Sequence, residues 1–178
     1  MGVEPPERSR PFLQTPPLPK PLPLKGSGFQ VIALPSPEAT EAFGLRLAAS
    51  LRPGDVIALF GTLGAGKTTL TRGILRGLGF DGDVGSPTFP IVVTYDPPET
   101  RLPLWHVDLY RIEDPGEVEE LALDEARGDS ALVIEWPERL GAGLWRDALK
   151  LRLEAAGEGA RALTAEVPPA WGERWPPR

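Results

Sequence analysis

The stretch ALFGTLGAGKTTLTRG, residues 58–73, carries the run Gly61-Thr62-Leu63-Gly64-Ala65-Gly66-Lys67-Thr68. This is the Walker A spacing. Its glycines let the backbone turn so that successive N–H groups point inward at phosphate oxygens. A helix starting at the loop adds the partial positive charge of its N-terminus. In such a loop Lys67 reaches the β- and γ-phosphates as a point charge, and the Thr68 hydroxyl ligates Mg²⁺. A buried strand before the run and a helix after it distinguish a phosphate loop from a glycine-rich turn with an incidental lysine. The sequence supplies both.

Hydrolysis of a bound nucleotide needs a carboxylate for the metal and a group that orients water. Glu135 closes ALVIE and Asp108 follows LWHV. In open α/β sheets the carboxyl ends of strands border the ligand crevice, so both acids are candidates. The residues alone leave open which serves the metal and which positions water. They also leave structural alternatives, a solvent-facing strand end for Glu135 and a turn cap or an Arg111 pair for Asp108. Thr88, in GSPTF, lies in a polar loop that is either a switch region or a plain connection. His106, the one histidine, suits packing or hydrogen bonding better than catalysis. Trp136 suits a stacking role or a core position. The chain contains no asparagine, so the Asn-Lys-x-Asp motif of guanine-specific proteins cannot form, which favours ATP.

Stepping outward from the loop, strands and helices alternate. FQVIAL (29–34) reads as a strand. Ser36 then caps a helix opened by Pro37, with Ala39, Phe43 and Leu47 on its apolar face. VIALF, wholly apolar, suits a strand buried on both faces. Leu70, Ile74 and Leu78 mark the helix after the phosphate loop, which stops at Gly79. PIVVTY and PLWHVDLY are two strands joined by DPPET. EDPGEVEELALDEARGD is an acidic helix with Asp114 as cap, Pro115 first and Glu117 closing a capping box. ALVIEW is a further buried strand, and LKLRLEAAGEGARALTAEV a hairpin. The expected architecture is therefore three-layer α/β, with a mixed, mainly parallel sheet and a C-terminal β-hairpin. Residues 1–27, with eight prolines, read as an extended or disordered leader. Residues 28–168 form the domain, and 169–178 an irregular tail.

Composition excludes several functions. With no cysteine in 178 residues, disulfides and thiolate metal sites cannot occur, and a cytoplasmic location fits. No run approaches a membrane span. The net charge of -6 and the lack of any Lys/Arg-rich run argue against a direct grip on DNA or RNA. Two glutamines, one methionine and 22 prolines suggest a thermophile, although GC-rich codons give the same picture.

Taken in order, GTLGAGKTT, SPTF, HVDLYRI and IEWPERL resemble the TsaE (YjeE) family of bacterial ATPases, which serve threonylcarbamoyladenosine formation in tRNA. The resemblance runs from about Phe29 to Val167. It implies a P-loop NTPase fold, Mg-ATP as ligand, and activity that depends on a TsaB–TsaD partner pair, with tRNA handled chiefly by those partners. It further implies that Leu63, Gly64, Ala65, Gly66, Lys67, Thr68 and Thr69 bind ATP, and that Thr68 and Glu135 hold Mg²⁺. Thr88 would belong to the switch loop, Asp108 would be the acid required for hydrolysis, and Pro37 and Gly157 would help enclose the nucleotide. Two other readings compete. A small-molecule P-loop kinase needs an arginine-bearing lid, whereas Arg139, Arg146, Arg152 and Arg161 are scattered along the chain. A nucleotide-dependent binding module would need no turnover.

Overall fold

The computed structural model describes residues 22–23, 29–87 and 89–177. Most of the proline-rich leader, and Thr88, lie outside the described residues. The sheet comprises β1 (Leu22–Pro23), β2 (Phe29–Leu34), β3 (Val56–Phe60), β4 (Val92–Tyr95), β5 (Leu104–Asp108), β6 (Ala131–Glu135), β7 (Leu149–Ala155) and β8 (Arg161–Glu166). Its spatial order is β1-β2-β8-β7-β3-β6-β5-β4. The four central strands β7-β3-β6-β5 are parallel. β4 runs antiparallel on one flank, and β8, β2 and the two-residue β1 pair antiparallel on the other. The sheet expected to be mainly parallel is thus a mixed sheet with a parallel core. The physical cause is that the hairpins β4–β5 and β7–β8 fold back where a helical crossover would be needed to keep strands parallel.

Alternate residues of the central strands feed two separate cores. On one face Ile57, Leu59, Leu104, Val133, Leu149 and Leu151 pack with helices α1 (Pro37–Ala49) and α2 (Lys67–Gly77). On the other, Val56, Val107, Leu132 and Ile134 meet α3 (Pro115–Glu119), α4 (Leu123–Ala126) and a 3-10 segment, Pro137–Gly143. The sheet is therefore sandwiched, and its middle strands read as continuous apolar runs.

Helix α1 has the expected cap, the Ser36 hydroxyl accepting the Ala39 N–H at 3.2 Å. Its buried face is Thr40, Phe43, Gly44, Leu47 and Ala48, so Ala39 lies at the edge of the stripe and not in it. The two helices approach so closely that a Cβ on Gly73 would sit 2.0 Å from the Glu41 carbonyl oxygen. That contact accounts for a residue that otherwise weakens a helix interior by about 1 kcal/mol.

The acidic segment forms two short helices and not the single helix expected. Its capping box is intact, Asp114 accepting the Gly116 N–H and donating its own N–H to Glu117. The chain then breaks at Ala122, which takes φ 51°. An unbroken helix would send Leu123 and Ala126 away from Val118 and Leu121; the break brings all four onto the same core.

The last residues have no period because they form a 3-10 turn, Pro169–Arg174. Trp171 is 1% exposed. Trp175 packs edge-on to Phe43 at 5.8 Å and donates its indole N–H to Gln30 at 2.8 Å. Arg174 lies over the Trp171 ring and makes a two-pronged ion pair with Asp55, at 2.6 and 3.0 Å. Among the described residues no helix is long and apolar enough to cross a membrane.

Candidate functional site

Parallel strands end together, and their carboxyl ends carry the site. β3 runs into the glycine loop, β6 ends on Glu135 and β5 ends on Asp108, with Asp108 in register with Glu135 and Glu135 with Leu59. The loop is bent by Gly64 (φ 75°) and Gly66 (φ 102°), both left-handed, and α2 starts at Lys67 without a side-chain cap. The N–H groups of its first turn are consequently available to an anion. These elements border a cleft of about 350 Å³, lined by residues Leu63 to Thr69, Asp108, Glu135 and Trp136.

Lys67 is 4% exposed. Its ammonium donates to the carbonyl oxygens of Gly61 and Thr62 at 2.7 and 3.0 Å and lies 4.3 Å from the Trp136 ring centroid. Burial pulls its pKa below the usual lysine value, opposed by the charges of Glu135, Asp108 and Glu138. A phosphate in the cleft would reinforce the charged form. Trp136 gains its position over Lys67 through an uncommon backbone, φ 58° and ψ 48°, a conformation costing a non-glycine residue roughly 1–2 kcal/mol. The Tyr110 ring also lies against it, tilted by 48° with centroids 5.0 Å apart.

Glu135 is buried and anchored on one oxygen. Oε1 accepts the Thr68 hydroxyl at 3.1 Å and the His106 Nε2 hydrogen at 2.9 Å. Among the described residues no hydrogen bond to Oε2 is found, so that oxygen is the one left to act as a ligand. A hydroxyl and a carboxylate oxygen converging beside a phosphate loop are the hard donors that Mg²⁺ takes, with phosphate and water completing its shell. Among the described residues no group of three or more His, Cys, Asp or Glu could hold a metal ion on its own. His106 is completely buried, and among the described residues its Nδ1 has no hydrogen-bond partner. Its role is the hydrogen bond that the sequence left open; nothing in the spacing of His106 and Glu135 announces it, since it depends on β5 and β6 being neighbours.

Asp108 ends the neighbouring strand β5 and lines the same cleft. Oδ2 accepts the Ser86 hydroxyl at 2.6 Å, and Oδ1 accepts the Tyr110 N–H at 2.9 Å. It does cap a turn, then, while Arg111 sits over the Phe89 ring at 4.2 Å instead of pairing with it. Pro37 borders the outer side of the glycine loop, in a small pocket shared with Thr40, Gly64, Gly66, Thr69 and Gly159. Gly157 stands further along the same hairpin turn with open space beside it; Gly159, two residues on, is the turn residue that meets Pro37. Arg161 also faces this pocket and was not singled out by any sequence motif.

A family model described as Threonylcarbamoyl adenosine biosynthesis protein TsaE matches residues 34–163. The tRNA threonylcarbamoyladenosine biosynthesis protein TsaE of Streptomyces coelicolor is 46% identical over 134 residues, 74% of this chain and 90% of that protein. Its namesake in Bacillus subtilis is 42% identical over 130 residues, 72% of this chain and 80% of that one. The crystal structure of Bacillus subtilis YdiB superposes with a TM-score of 0.70 at 32% identity, covering 84% of this chain and 93% of that structure. With the matched segment embracing the glycine loop, Asp108 and Glu135, the chain belongs to the TsaE family.

Proposed function

We propose that this protein is a Mg²⁺-dependent ATPase that serves threonylcarbamoyladenosine formation in tRNA, acting in the cytoplasm with a TsaB–TsaD pair. The observation that carries the reading is the Thr68–Glu135 hydrogen bond at the mouth of a Walker A loop, with Asp108 beside Glu135 on the neighbouring strand. In this reading Leu63 to Thr69 hold the phosphates, and Thr68 and Glu135 hold the metal. Bound there, Mg²⁺ would offset charge on the phosphate oxygens. Asp108 orients the attacking water, with Thr88 in the adjoining switch loop, and Pro37 and the hairpin turn around Gly157 flank the nucleotide. Residues 28–168 form the ATPase unit, with residues 169–177 packed on it.

The net charge of -6 supports a route to tRNA through partners. The kinase alternative is weakened by how three of its four candidate arginines are used: Arg161 is bonded to loop carbonyls, Arg139 to the Tyr110 carbonyl, and Arg152 lies over Phe60. The test is hydrolysis of Mg-ATP by the purified protein, alone and with its cognate TsaB–TsaD pair, against Mg-GTP. Slow turnover alone that rises sharply with the pair, for ATP only, is expected. No response to the pair would defeat the proposal.

His106 gives a finer check on the metal role. Replacing it with leucine removes the donor that fixes Glu135, so the Mg²⁺ concentration for half-maximal hydrolysis should rise by roughly 10- to 100-fold. His106→Gln, which keeps an N–H donor, should recover part of that loss. Equal Mg²⁺ dependence in all three proteins would remove His106 from the metal site.

A further inference from the structure

We infer that Arg161 is a positioning residue for the phosphate loop, holding its peptide planes from the outside; this rests on the nucleotide-binding reading above. Arg161 is the first residue of β8 and is in register with Ala155 of β7 and Leu34 of β2. Two neighbouring strands therefore fix its backbone. Its Nε donates to the Ala65 carbonyl at 2.7 Å, and its Nη2 to the Gly64 carbonyl at 3.1 Å. Nη1 donates to the carbonyl of Ala160, in the adjoining turn, at 2.8 Å.

The consequence follows from peptide planarity. In a trans peptide the C=O and the following N–H point to opposite sides. Drawing the Ala65 carbonyl outward turns the Gly66 N–H inward, towards the space a phosphate would fill. Drawing the Gly64 carbonyl outward turns the Ala65 N–H inward, where it meets the Thr62 carbonyl at 3.1 Å and closes the loop. A planar guanidinium with donors in a fixed fork suits two consecutive carbonyls, and an ammonium does not. Arg161 also lies against Gly66, where an added Cβ would be in ordinary contact with Nε at 3.7 Å. A glycine loop left to itself samples many conformations. Arg161 restricts that sampling and so lowers the ordering cost of binding phosphate. It also ties the β7–β8 hairpin mechanically to the phosphate loop.

Two measurements on the full-length protein test this. The first is amide hydrogen exchange across residues 61–68 without nucleotide, comparing the native protein with Arg161→Ala, Arg161→Lys and a control, Lys150→Ala. The control breaks the Lys150–Glu166 ion pair on the same hairpin, away from the loop. Faster exchange is expected in the loop of Arg161→Ala, with β3 unchanged, an intermediate rate in Arg161→Lys and native exchange in the control. The second is the affinity for ATP and for inorganic tripolyphosphate. Both should weaken roughly 10- to 50-fold in Arg161→Ala, as loss of two charge-assisted hydrogen bonds implies, and by less in Arg161→Lys. Native loop exchange in Arg161→Ala, or native affinity for both ligands, overturns the inference, as does full rescue by lysine, which would mark a plain charge contact. Failure of the native protein to bind ATP would instead defeat the nucleotide-binding reading, while the exchange result would still decide whether Arg161 orders the loop.

Discussion

Asp108→Asn is expected to bind Mg-ATP about as tightly as the native protein and to hydrolyse it at least roughly 100-fold more slowly in the presence of the partner pair. The substitution leaves the geometry almost untouched. The amide oxygen still accepts the Tyr110 N–H, and the amide nitrogen can donate to a Ser86 hydroxyl that rotates to receive it. What is lost is the negative charge and the proton-accepting oxygen. Lys67→Ala should behave in the opposite way, losing most nucleotide affinity, because the buried ammonium is the loop's only full positive charge. Its folding should survive, since removing a poorly solvated charge relieves a desolvation cost and frees only two loop carbonyls.

Equilibrium binding and single-turnover hydrolysis, read side by side with tRNA modification, separate the two functions that a phosphate loop can serve. If Asp108→Asn supports modification as well as the native protein does, nucleotide occupancy suffices and the chain acts as a binding module. If modification fails while binding persists, turnover is the function.

Trp171→Ala should cost about 3–5 kcal/mol of stability. Trp171 is among the largest fully buried side chains of the molecule, and its ring also seats the Arg174 guanidinium at 4.3 Å. Emptying that volume leaves a cavity and loosens the Arg174–Asp55 pair, whose partners are 14% and 12% exposed. Partial burial makes such a pair costly to break by removing one side. Urea unfolding of the native protein and the variant measures the effect. A difference below about 1 kcal/mol would mean that residues 169–177 rest on the domain without stabilising it.

The sequence was most informative where function and local geometry coincide. The glycine loop must have its residues in one order to bend, so Gly61 to Thr68 were readable without any long-range information. Glu135 and Asp108 were readable because a buried strand announces its own end. His106 was not, since its hydrogen bond to Glu135 exists only once β5 pairs with β6. Arg161 was hidden for the same reason, 96 residues along the chain from the carbonyl it holds. The break at Ala122 and the burial of Trp171 both violate the local pattern, and in each case tertiary packing decides. A 3-10 turn such as Pro169–Arg174 offers no 3.6-residue period to find, and so the tail could not advertise its place in the core.

The Arg174–Asp55 pair sits just ahead of β3, and the glycine loop just beyond it. Five residues of strand, about 16 Å of rise, keep the anchor and the chemistry apart. At that separation the free energies of perturbations at the two ends are expected to sum to within about 0.5 kcal/mol. Evolution can retune how firmly this chain is folded at its terminus without asking leave of the phosphate loop.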